Sequence, residues 1–319
     1  MIVFTSLENI KTPPTAIALG LFDGVHMGHQ EVIQYAVAAK KEGLIPAVFT
    51  FTTGGTSDAR PESKKDSQYI LTNDLKEKFL EEIGIETIFQ IPFLEFRGLT
   101  PEQFVKNIVI DTFNAKKIIC GFNFHFGKNA SASAEDMIKI AHKYDVEVIK
   151  VDGVMWDGDA ISSTRIRNSL YEGDISSVNA MLNKPYAIRG KVMYGNRIGR
   201  TIQFPTINQY FGKDQLVPRH GVYASFVEVD GKIHPGVTNI GTKPTIGVND
   251  PLSETYILDF DRDLYGEYIT LNLLEFIRPE QKFDGIDSLR AQIAKDTVTA
   301  QHIYEKYAAN KPVWLKAKL

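Results

Sequence analysis

The sequence predicts an α/β first half built on a parallel sheet and a mostly-β second half that ends in one helix. From Thr15 to about Lys150, short apolar runs alternate with amphipathic stretches, an order typical of parallel strands joined by helices. After Pro185 the helical stretches stop, and short strands with Gly-rich turns follow, which favours an antiparallel barrel or sandwich. We therefore expect two domains, at 1–183 and 184–319.

Each element of the first half has a local signal. Apolar runs predict strands at Ala16–Leu21, Ile45–Phe51, Lys116–Cys120 and Glu147–Val151, and helical spacing predicts helices at Gln30–Gly43, Asn73–Gly84, Pro101–Asp111 and Ser133–Tyr144. Gly43 and Gly84 stand where C-terminal caps are expected, and Thr100 stands where an N-cap is expected before Pro101. The polar stretch Gly54–Gln68 lacks periodicity and predicts a mobile surface loop.

The second half begins after a short helical piece, Ser176–Lys184. Asp230 and Gly231 form a two-residue hairpin signal between the predicted strands Val222–Val229 and Lys232–Val237. We also expect Thr255–Phe260 and Ile269–Phe276 to form a strand pair around a turn at 261–266, and Ile286–Tyr307 to be the closing helix.

Composition excludes several classes of protein. Of the 319 residues, 43% are hydrophobic and 24% charged, which is the globular range and excludes disordered, collagen-like and coiled-coil chains. A net charge of -3 gives no electrostatic footprint for a nucleic-acid or membrane partner. The single cysteine, Cys120, excludes an intrachain disulfide and a four-cysteine zinc site. With no signal peptide and no apolar run long enough to span a membrane, we predict a cytoplasmic protein.

A phosphate site is predicted where the first strand meets its helix, within Ala16–His29 (AIALGLFDGVHMGH). The N-terminus of a helix offers unpaired N–H donors and a partial positive charge, which suit a phosphate. Gly24 and Gly28 allow the backbone to approach a ligand closely, and His26 and His29 could donate hydrogen bonds to phosphate oxygens. The alternative is two surface histidines beside an ordinary turn.

A strand followed by His-x-Gly-His resembles the nucleotidyltransferases that transfer AMP or CMP from a triphosphate. Their second motif, Ile-Ser-Ser-Thr-x-Ile-Arg, is matched by Ile161–Arg167. Hydroxyls and a guanidinium at a helix start can hold a departing pyrophosphate, although Ser-Ser-Thr alone is only a helix-capping signal.

A second phosphate site is predicted in the other half, in the Gly-rich stretch 190–208. Thr206 and Asn208 lie two residues apart on one strand face, where both could reach a Mg²⁺–phosphate group. Glu254 could take a proton from a hydroxyl. The alternative is a set of ordinary turns and a solvated carboxylate at a strand end.

Over nearly its full length the sequence resembles the prokaryotic bifunctional riboflavin kinase/FMN adenylyltransferase (FAD synthetase) family. Adenylyltransferase motifs are matched by Gly20–His29, Gly121–Gly127 and Ile161–Arg167, and kinase motifs by Gly195–Asn208, Gly221–Tyr223, Asn239–Thr245, Glu254–Phe260, Leu264–Gly266 and Ile277–Phe283. The resemblance implies a Rossmann-like nucleotidyltransferase domain with a parallel sheet, followed by an antiparallel six-stranded barrel with a C-terminal helix.

The resemblance also implies the reactions and the residues that carry them. The second domain would phosphorylate riboflavin with ATP, with Thr206 and Asn208 holding Mg²⁺ and Glu254 as the base. The first domain would join AMP to FMN and release pyrophosphate, with His26 and His29 on the phosphates. The residues implied to bind nucleotide or phosphate are Gly20, Phe22, Asp23, Gly24, Gly28, Asn123, Ser162, Ser163, Thr164, Arg167, Gly195, Gly199 and Arg200.

Two departures from the family pattern concern the first domain. Asn123 stands where the family has Asp, and Thr50–Gly55 (TFTTGG) stands where it has Thr-Phe-x-Pro-His-Pro. We therefore expect FAD formation to be slower than phosphorylation, so that FMN accumulates first. Two alternatives remain open: a single-activity riboflavin kinase with a degenerate first domain, and a flavin-binding or nucleic-acid regulatory protein that reuses the folds.

Overall fold

A computed structural model of the protein describes residues 1–51, 68–195, 203–212, 214–242 and 251–310. The chain divides into two compact units, Met1–Ser163 and Thr164–Leu319. The predicted domain boundary at 183/184 stays a prediction. Apart from Gln68, the predicted loop Gly54–Gln68 lies outside the described residues.

The first unit is built on a six-stranded, wholly parallel sheet, as predicted. Its strands are β1 (Ile2–Phe4), β2 (Thr15–Leu19), β3 (Ile45–Phe51), β4 (Thr87–Ile91), β5 (Ala115–Gly121) and β6 (Glu147–Val151). They lie in the order β1-β4-β3-β2-β5-β6. Strands β1 and β4 are not predicted from the sequence, because β1 has three residues and the apolar run in β4 is interrupted by Gln90.

Helices lie between these strands at the four places that the sequence predicts, and their ends differ from the predicted ones by at most three residues when the 3₁₀ and π turns are included. They are α1 (Met27–Ala38, followed by a 3₁₀ turn at Ala39–Glu42), α2 (Asn73–Ile83), α3 (Pro101–Gln103, continuing as the π-helix Phe104–Thr112) and α4 (Ala134–His142). Gly43 and Gly84 cap their helices with φ of 80° and 111°. Thr100 forms a capping box with Gln103. Shorter pieces are the 3₁₀ turns Phe93–Glu95 and Lys128–Ala130 and the two-residue strands His125–Phe126, Ala132–Ser133, Met155–Trp156 and Asp159–Ala160.

Aromatic side chains fill the core beneath this sheet. Phe89 stacks on Phe113 with ring centroids 4.0 Å apart, and Phe49 lies against Phe113 at 5.6 Å. The strand register places Leu19 between Phe49 and Cys120. Three packed strands therefore end together at the edge of the sheet where the chain turns at Gly20.

The second unit contains an antiparallel sheet of six strands. Its elements are α5 (Ser163–Glu172), α6 (Ile175–Leu182), β7 (Tyr186–Lys191), β8 (Thr206–Tyr210), β9 (Gly221–Val229), β10 (Lys232–Thr242), β11 (Pro251–Ile257), β12 (Tyr268–Arg278) and α7 (Ile286–Ala309). The strands lie in the order β7-β12-β9-β10-β11-β8. The two end strands meet through an antiparallel bridge between Met193 and Asn208 and a 2.9 Å hydrogen bond from Gln209 Nε2 to the Gly190 carbonyl. The predicted six-stranded barrel with a C-terminal helix is confirmed.

The pairing of strands in this unit corrects one prediction. Asp230 and Gly231 do form the hairpin turn, with φ of 51° and 74°, as the primed turns require. The expected pairing of Thr255–Phe260 with Ile269–Phe276 is wrong, because β11 pairs with β10 and β8, whereas β12 pairs with β9 and β7. The connection 258–267 is too long to force a hairpin, so closure of the barrel decides the partners.

Helix α7 packs on the barrel through its aromatic residues and one ion pair. Tyr304 and Tyr307 lie against Phe226, with ring centroids 6.3 and 6.0 Å away. Arg278 Nη2 contacts the buried carboxylate of Asp296 at 2.8 Å. Among the residues that the structure describes, no helix is long and apolar enough to cross a membrane.

Candidate active sites

The turn after β2 is strained. Phe22 and Val25 have φ of 53° and 45°, in the left-handed region that side chains other than glycine rarely adopt, and a β-branched residue is an outlier there. Such residues cost of order 1–3 kcal/mol each and persist only when their surroundings hold them. Both side chains are buried, so packing is one part of what holds this turn.

Hydrogen bonds from distant segments are the other part. Thr50 Oγ1, at the end of β3, donates to the Leu21 carbonyl at 2.8 Å. Asp23 Oδ1 accepts from the backbone N–H of Ile70 at 2.9 Å, and the Asp23 carbonyl accepts from Ser163 Oγ at 2.8 Å. Asp23 and Ser163, both predicted to bind phosphate, are thus used here to fix the turn, and a phosphate contact by either stays a prediction.

Two histidines begin helix α1. His26 is the N-cap, and its Nδ1 accepts from the His29 N–H at 3.3 Å, which implies that the proton of its neutral ring is on Nε2. The two rings stack with centroids 3.6 Å apart. The Phe22 and His29 rings lie in an edge-to-face arrangement with centroids 5.3 Å apart. The structure therefore brings together the two histidines that the sequence predicts.

Burial keeps both rings uncharged. Removal from water lowers the pKa of His26, which is 5% exposed, to about 4, although its own backbone hydrogen bond acts in the opposite direction. Burial also lowers the pKa of His29 well below its ordinary value, and the charge of Lys76, together with that of His26 whenever its ring is protonated, lowers it further. His29 Nδ1 is buried and has no hydrogen-bond partner among the described residues. At neutral pH the site therefore offers N–H donors and helix N-terminal amides to a phosphate.

Sequence reasoning missed the cation beneath this turn. Lys76 on α2 is 2% exposed, and its Nζ donates to Thr50 Oγ1 at 3.1 Å. Burial lowers the pKa of Lys76 to about 8, while the charges of Asp23 and Glu77 act to raise it. One signal was available: Lys76 is spaced by three and four residues from Phe79 and Leu80, in the apolar stripe of the helix.

Gly20 and Gly28 leave space that the neighbouring aromatic rings occupy. A Cβ on Gly20 would lie 3.0 Å from the Phe22 ring, and one on Gly28 would lie 3.3 Å from the His26 ring. Gly24 has φ of 91°, which favours glycine. The predicted contacts of these glycines with phosphate are not tested by this geometry.

The other residues predicted for this site lie after β5 and at the start of α5. Asn123 is exposed, two residues beyond the end of β5, at the edge of the sheet where β2 ends. Ser162 precedes α5 in the first unit, whereas Thr164 and Arg167 belong to the second unit. The part of these residues in binding phosphate stays a prediction.

The second candidate site is a row of side chains across three strands. Asn208 on β8 is directly opposite Glu254 on β11, which is in turn opposite Asn239 on β10. Thr206 lies two residues before Asn208 and so shares its face of the sheet. Asn239 belongs to a predicted motif but was not predicted as a site residue, because the pairing of β10 with β11 has no local signal.

The Asn208 amide is held in a confined position. Asn208 is buried, and its Oδ1 has no hydrogen-bond partner among the described residues. A Cβ on Gly195 would lie 2.7 Å from Asn208 Nδ2, so glycine at this position leaves room for the amide. Gly199 and Arg200, both predicted to bind phosphate, lie outside the described residues.

These side chains fit the Mg²⁺ that the kinase resemblance implies. The row supplies hard oxygen donors, which Mg²⁺ prefers, and one of them is the buried, unpartnered Asn208 Oδ1. The described part of the chain holds no cluster of three or more His, Cys, Asp or Glu side chains that could bind a metal.

Comparisons with known proteins match both halves of the chain. The FAD synthetase family profile matches residues 8–165, and the riboflavin kinase profile matches residues 182–304. The bifunctional riboflavin kinase/FMN adenylyltransferase of Listeria monocytogenes is 36% identical, over 91% of this chain and 92% of its own. That of Bacillus subtilis is also 36% identical, over 88% of this chain and 90% of its own.

The chain belongs to the bifunctional riboflavin kinase/FMN adenylyltransferase family. A solved structure described as a macrolide-efflux protein from Streptococcus pneumoniae is similar over 94% of this chain and 98% of its own, at 33% identity and a TM-score of 0.82. Within the family match, the strained turn and its histidines fall in the FAD synthetase part, and the row containing Asn208 and Glu254 falls in the riboflavin kinase part.

Proposed function

We propose that this chain phosphorylates riboflavin to FMN with ATP and then joins AMP from a second ATP to FMN, giving FAD and pyrophosphate. The observation that carries the proposal is that each matched half contains a built site on its own motif residues: stacked histidines on a strained turn, and Asn208 opposite Glu254. Matches to both halves support two activities over a single-activity kinase.

In the kinase reaction, the riboflavin 5′-hydroxyl oxygen attacks the γ-phosphorus of ATP, Glu254 takes the hydroxyl proton, and the bond from the γ-phosphorus to the departing ADP breaks. Asn208 Oδ1 and the Thr206 hydroxyl would hold Mg²⁺, and the ion would supply positive charge to neutralise the phosphates. Gly195, Gly199 and Arg200 are proposed to bind the phosphates of ATP. The ladder between β8 and β11 fixes the distance between the base and the metal ligands.

In the adenylyltransferase reaction, an FMN phosphate oxygen attacks the α-phosphorus of ATP, and the bond to pyrophosphate breaks. His26 and His29 donate N–H hydrogen bonds to phosphate oxygens, helped by the turn Gly20–Gly28 and by Asn123. The residues proposed to hold the departing pyrophosphate are Ser162, Ser163, Thr164 and Arg167. A cytoplasmic location and the lack of a nucleic-acid partner stay predictions of the sequence.

We also propose that the two activities divide at 183/184. One contact bears on where an isolated kinase should begin: Asn179 on α6 donates to the Leu273 carbonyl at 2.9 Å and accepts from the Tyr186 N–H at 2.8 Å. A fragment beginning at Thr164 keeps these bonds, and one beginning at Pro185 loses them. Equal riboflavin phosphorylation by both soluble fragments would support the boundary at 183/184, and activity of the longer one alone would contradict it.

The deciding experiment incubates the full-length protein with riboflavin, ATP and Mg²⁺ and separates riboflavin, FMN and FAD over time. We expect FMN, then FAD with an equal amount of pyrophosphate. FMN as the sole product would favour the single-activity kinase. Riboflavin that binds but is not converted would favour a flavin-binding protein.

A further inference from the structure

The Lys76 ammonium is buried, and burial of a charge is unfavourable by itself. Lys76 is 2% exposed and occupies a position in the apolar stripe of α2. A Met or Leu there would pack without desolvating a charge, and such replacements of buried charges are often neutral or stabilising. The contacts of this ammonium therefore matter for what it does.

Its contacts lead to the strained turn. Lys76 Nζ donates to Thr50 Oγ1 at 3.1 Å, and Thr50 Oγ1 donates to the Leu21 carbonyl at 2.8 Å. Because Thr50 accepts from the ammonium, its single proton is directed to Leu21. Leu21 immediately precedes Phe22, one of the two non-glycine residues of this turn with positive φ. The ammonium thus orients the hydroxyl that fixes the backbone of the phosphate-binding turn.

The same ammonium also provides charge to a site whose histidines are neutral. Lys76 acts electrostatically on His29 of α1, on Asp23 of the turn and on Glu77 of its own helix. Burial keeps His26 and His29 uncharged near neutral pH. A fixed positive charge behind two N–H donors would favour a polyphosphate in front of them, and in a dry site such a charge acts more strongly than in water.

We propose that Lys76 is a positioning residue for adenylyl transfer, which orients Thr50 to hold the Leu21 carbonyl and places a fixed positive charge beneath the phosphate-binding turn. It does not need to touch the substrate. This inference rests on the proposed adenylyltransferase function of the first unit.

The test uses full-length Lys76→Met, Thr50→Val and Thr50→Ser, with Lys78→Met as a control two residues along the same helix. FAD formation from FMN and ATP is measured beside FMN formation from riboflavin, and each variant's melting temperature is recorded. We expect Lys76→Met to lower kcat for FAD formation by about 10- to 100-fold, the range for loss of a positioned charge or contact. We expect Lys76→Met to keep the wild-type KM for FMN, rate of riboflavin phosphorylation and melting temperature. The control variant Lys78→Met should resemble the wild type in all of these measurements.

The two Thr50 variants test the hydrogen bonds from Lys76 through Thr50 to the Leu21 carbonyl while the lysine is still present. Thr50→Val removes the hydroxyl and should lower kcat for FAD formation, whereas Thr50→Ser keeps it and should restore most of the rate. The pH profile gives a further check: kcat/KM of the wild type should fall as the pH rises through about 8, where Lys76 loses its proton. Lys76→Met should lack that fall.

Three results would overturn the proposal. If Lys76→Met has the wild-type kcat for FAD formation, the lysine has no role in positioning and serves only the structure. If Thr50→Val and Thr50→Ser form FAD at equal rates, the hydroxyl that connects Lys76 to the Leu21 carbonyl does not matter for the reaction. A Lys76→Met protein that does not fold would show that the charge serves stability, unless the Thr50 pair still separates as expected. If the wild type itself makes no FAD, the proposed function fails instead, and this outcome is distinct from the other three.

Discussion

In the first unit the functional side chains lie on a turn with two strained residues, whereas in the second they lie in one row across three paired strands. The turn is held by Thr50, Asp23 and Ser163, which are far apart in sequence. The row of Asn208, Glu254 and Asn239 is held by backbone ladders. The first site therefore depends on side-chain hydrogen bonds, and the second on strand register.

The two sites also treat charge differently. The turn contains two histidines that burial keeps neutral, and the buried Lys76 of α2 lies close enough to act on them electrostatically. In the row, the side chains Asn208, Glu254 and Asn239 are placed by strand pairing, and the buried Asn208 Oδ1 is an acceptor without a partner among the described residues. We expect substitutions beside the turn to alter the electrostatic environment of the histidines. Substitutions in the row should remove single contacts with a ligand.

The largest effect is expected from Glu254→Gln. Loss of the general base should lower FMN formation from riboflavin by about 10²–10⁴-fold. FAD formation from supplied FMN, measured in the same preparation, should be nearly unchanged, because Glu254 lies in the β-rich unit. Equal loss of both activities in a folded variant would contradict the assignment of separate sites.

The matching change in the first unit is His29→Ala. Removal of one oriented donor should lower FAD formation by about 10²–10³-fold, while riboflavin phosphorylation survives. Flavin separation after incubation with FMN and ATP measures the first activity, and incubation with riboflavin measures the second. A wild-type rate of FAD formation would mean that His29 only begins a helix.

Gly195→Ala tests whether the row depends on a confined amide. The new Cβ would lie 2.7 Å from Asn208 Nδ2, so the amide must shift, and we expect the kinase rate to fall by about tenfold or more, since small misplacements are costly in positioned sites. Gly285→Ala is the control, because a Cβ there has open space. An unchanged kinase rate would show that the position of the amide does not limit the reaction.

A smaller effect is expected on the stability of the first unit at low pH. The folded pKa of His26 is about 4 and its ordinary value is 6.5, so between these values the unfolded chain binds the proton and the folded one does not. Stability from this group is present above pH 6.5 and decreases as the pH falls, by about 2 kcal/mol at pH 5. Urea titrations followed by NMR signals of first-unit amides would measure it. In His26→Gln, the free energy of unfolding should decrease between pH 7 and pH 5 by about 2 kcal/mol less than in the wild type. An equal decrease in both proteins would refute the lowered pKa of His26.

The smallest effect concerns the departures from the family pattern. In the wild type we expect FMN to accumulate before FAD appears. Asn123→Asp combined with Thr53→Pro should speed FAD formation by less than about tenfold, because one exposed charge contributes at most about 1 kcal/mol. Time courses from riboflavin would decide: a wild type without an FMN lag and a variant with an unchanged FAD rate would refute the prediction.

Much of the fold could be predicted because element type is encoded locally. The strands Ile45–Phe51 and Glu147–Val151 have the predicted bounds, since each is a compact run that a helix or turn signal delimits. Partner choice was harder to predict, and the pairing of Thr255–Phe260 with Ile269–Phe276 was wrong. A connection of about ten residues leaves several partners within reach, and closure of the whole barrel selects among them.

The sequence by itself determined the two fold classes, the hairpin at Asp230 and Gly231, the motif residues and the resemblance to the family, because these depend on spacing along the chain. The tertiary structure alone decided that His26 and His29 are neutral, that Lys76 is buried beneath the turn, and that Asn239 joins Asn208 beside Glu254. A pKa depends on removal from water and on nearby charges, and a contact row depends on which strands pair. Both bring together residues that are distant in sequence, so local patterns do not contain them.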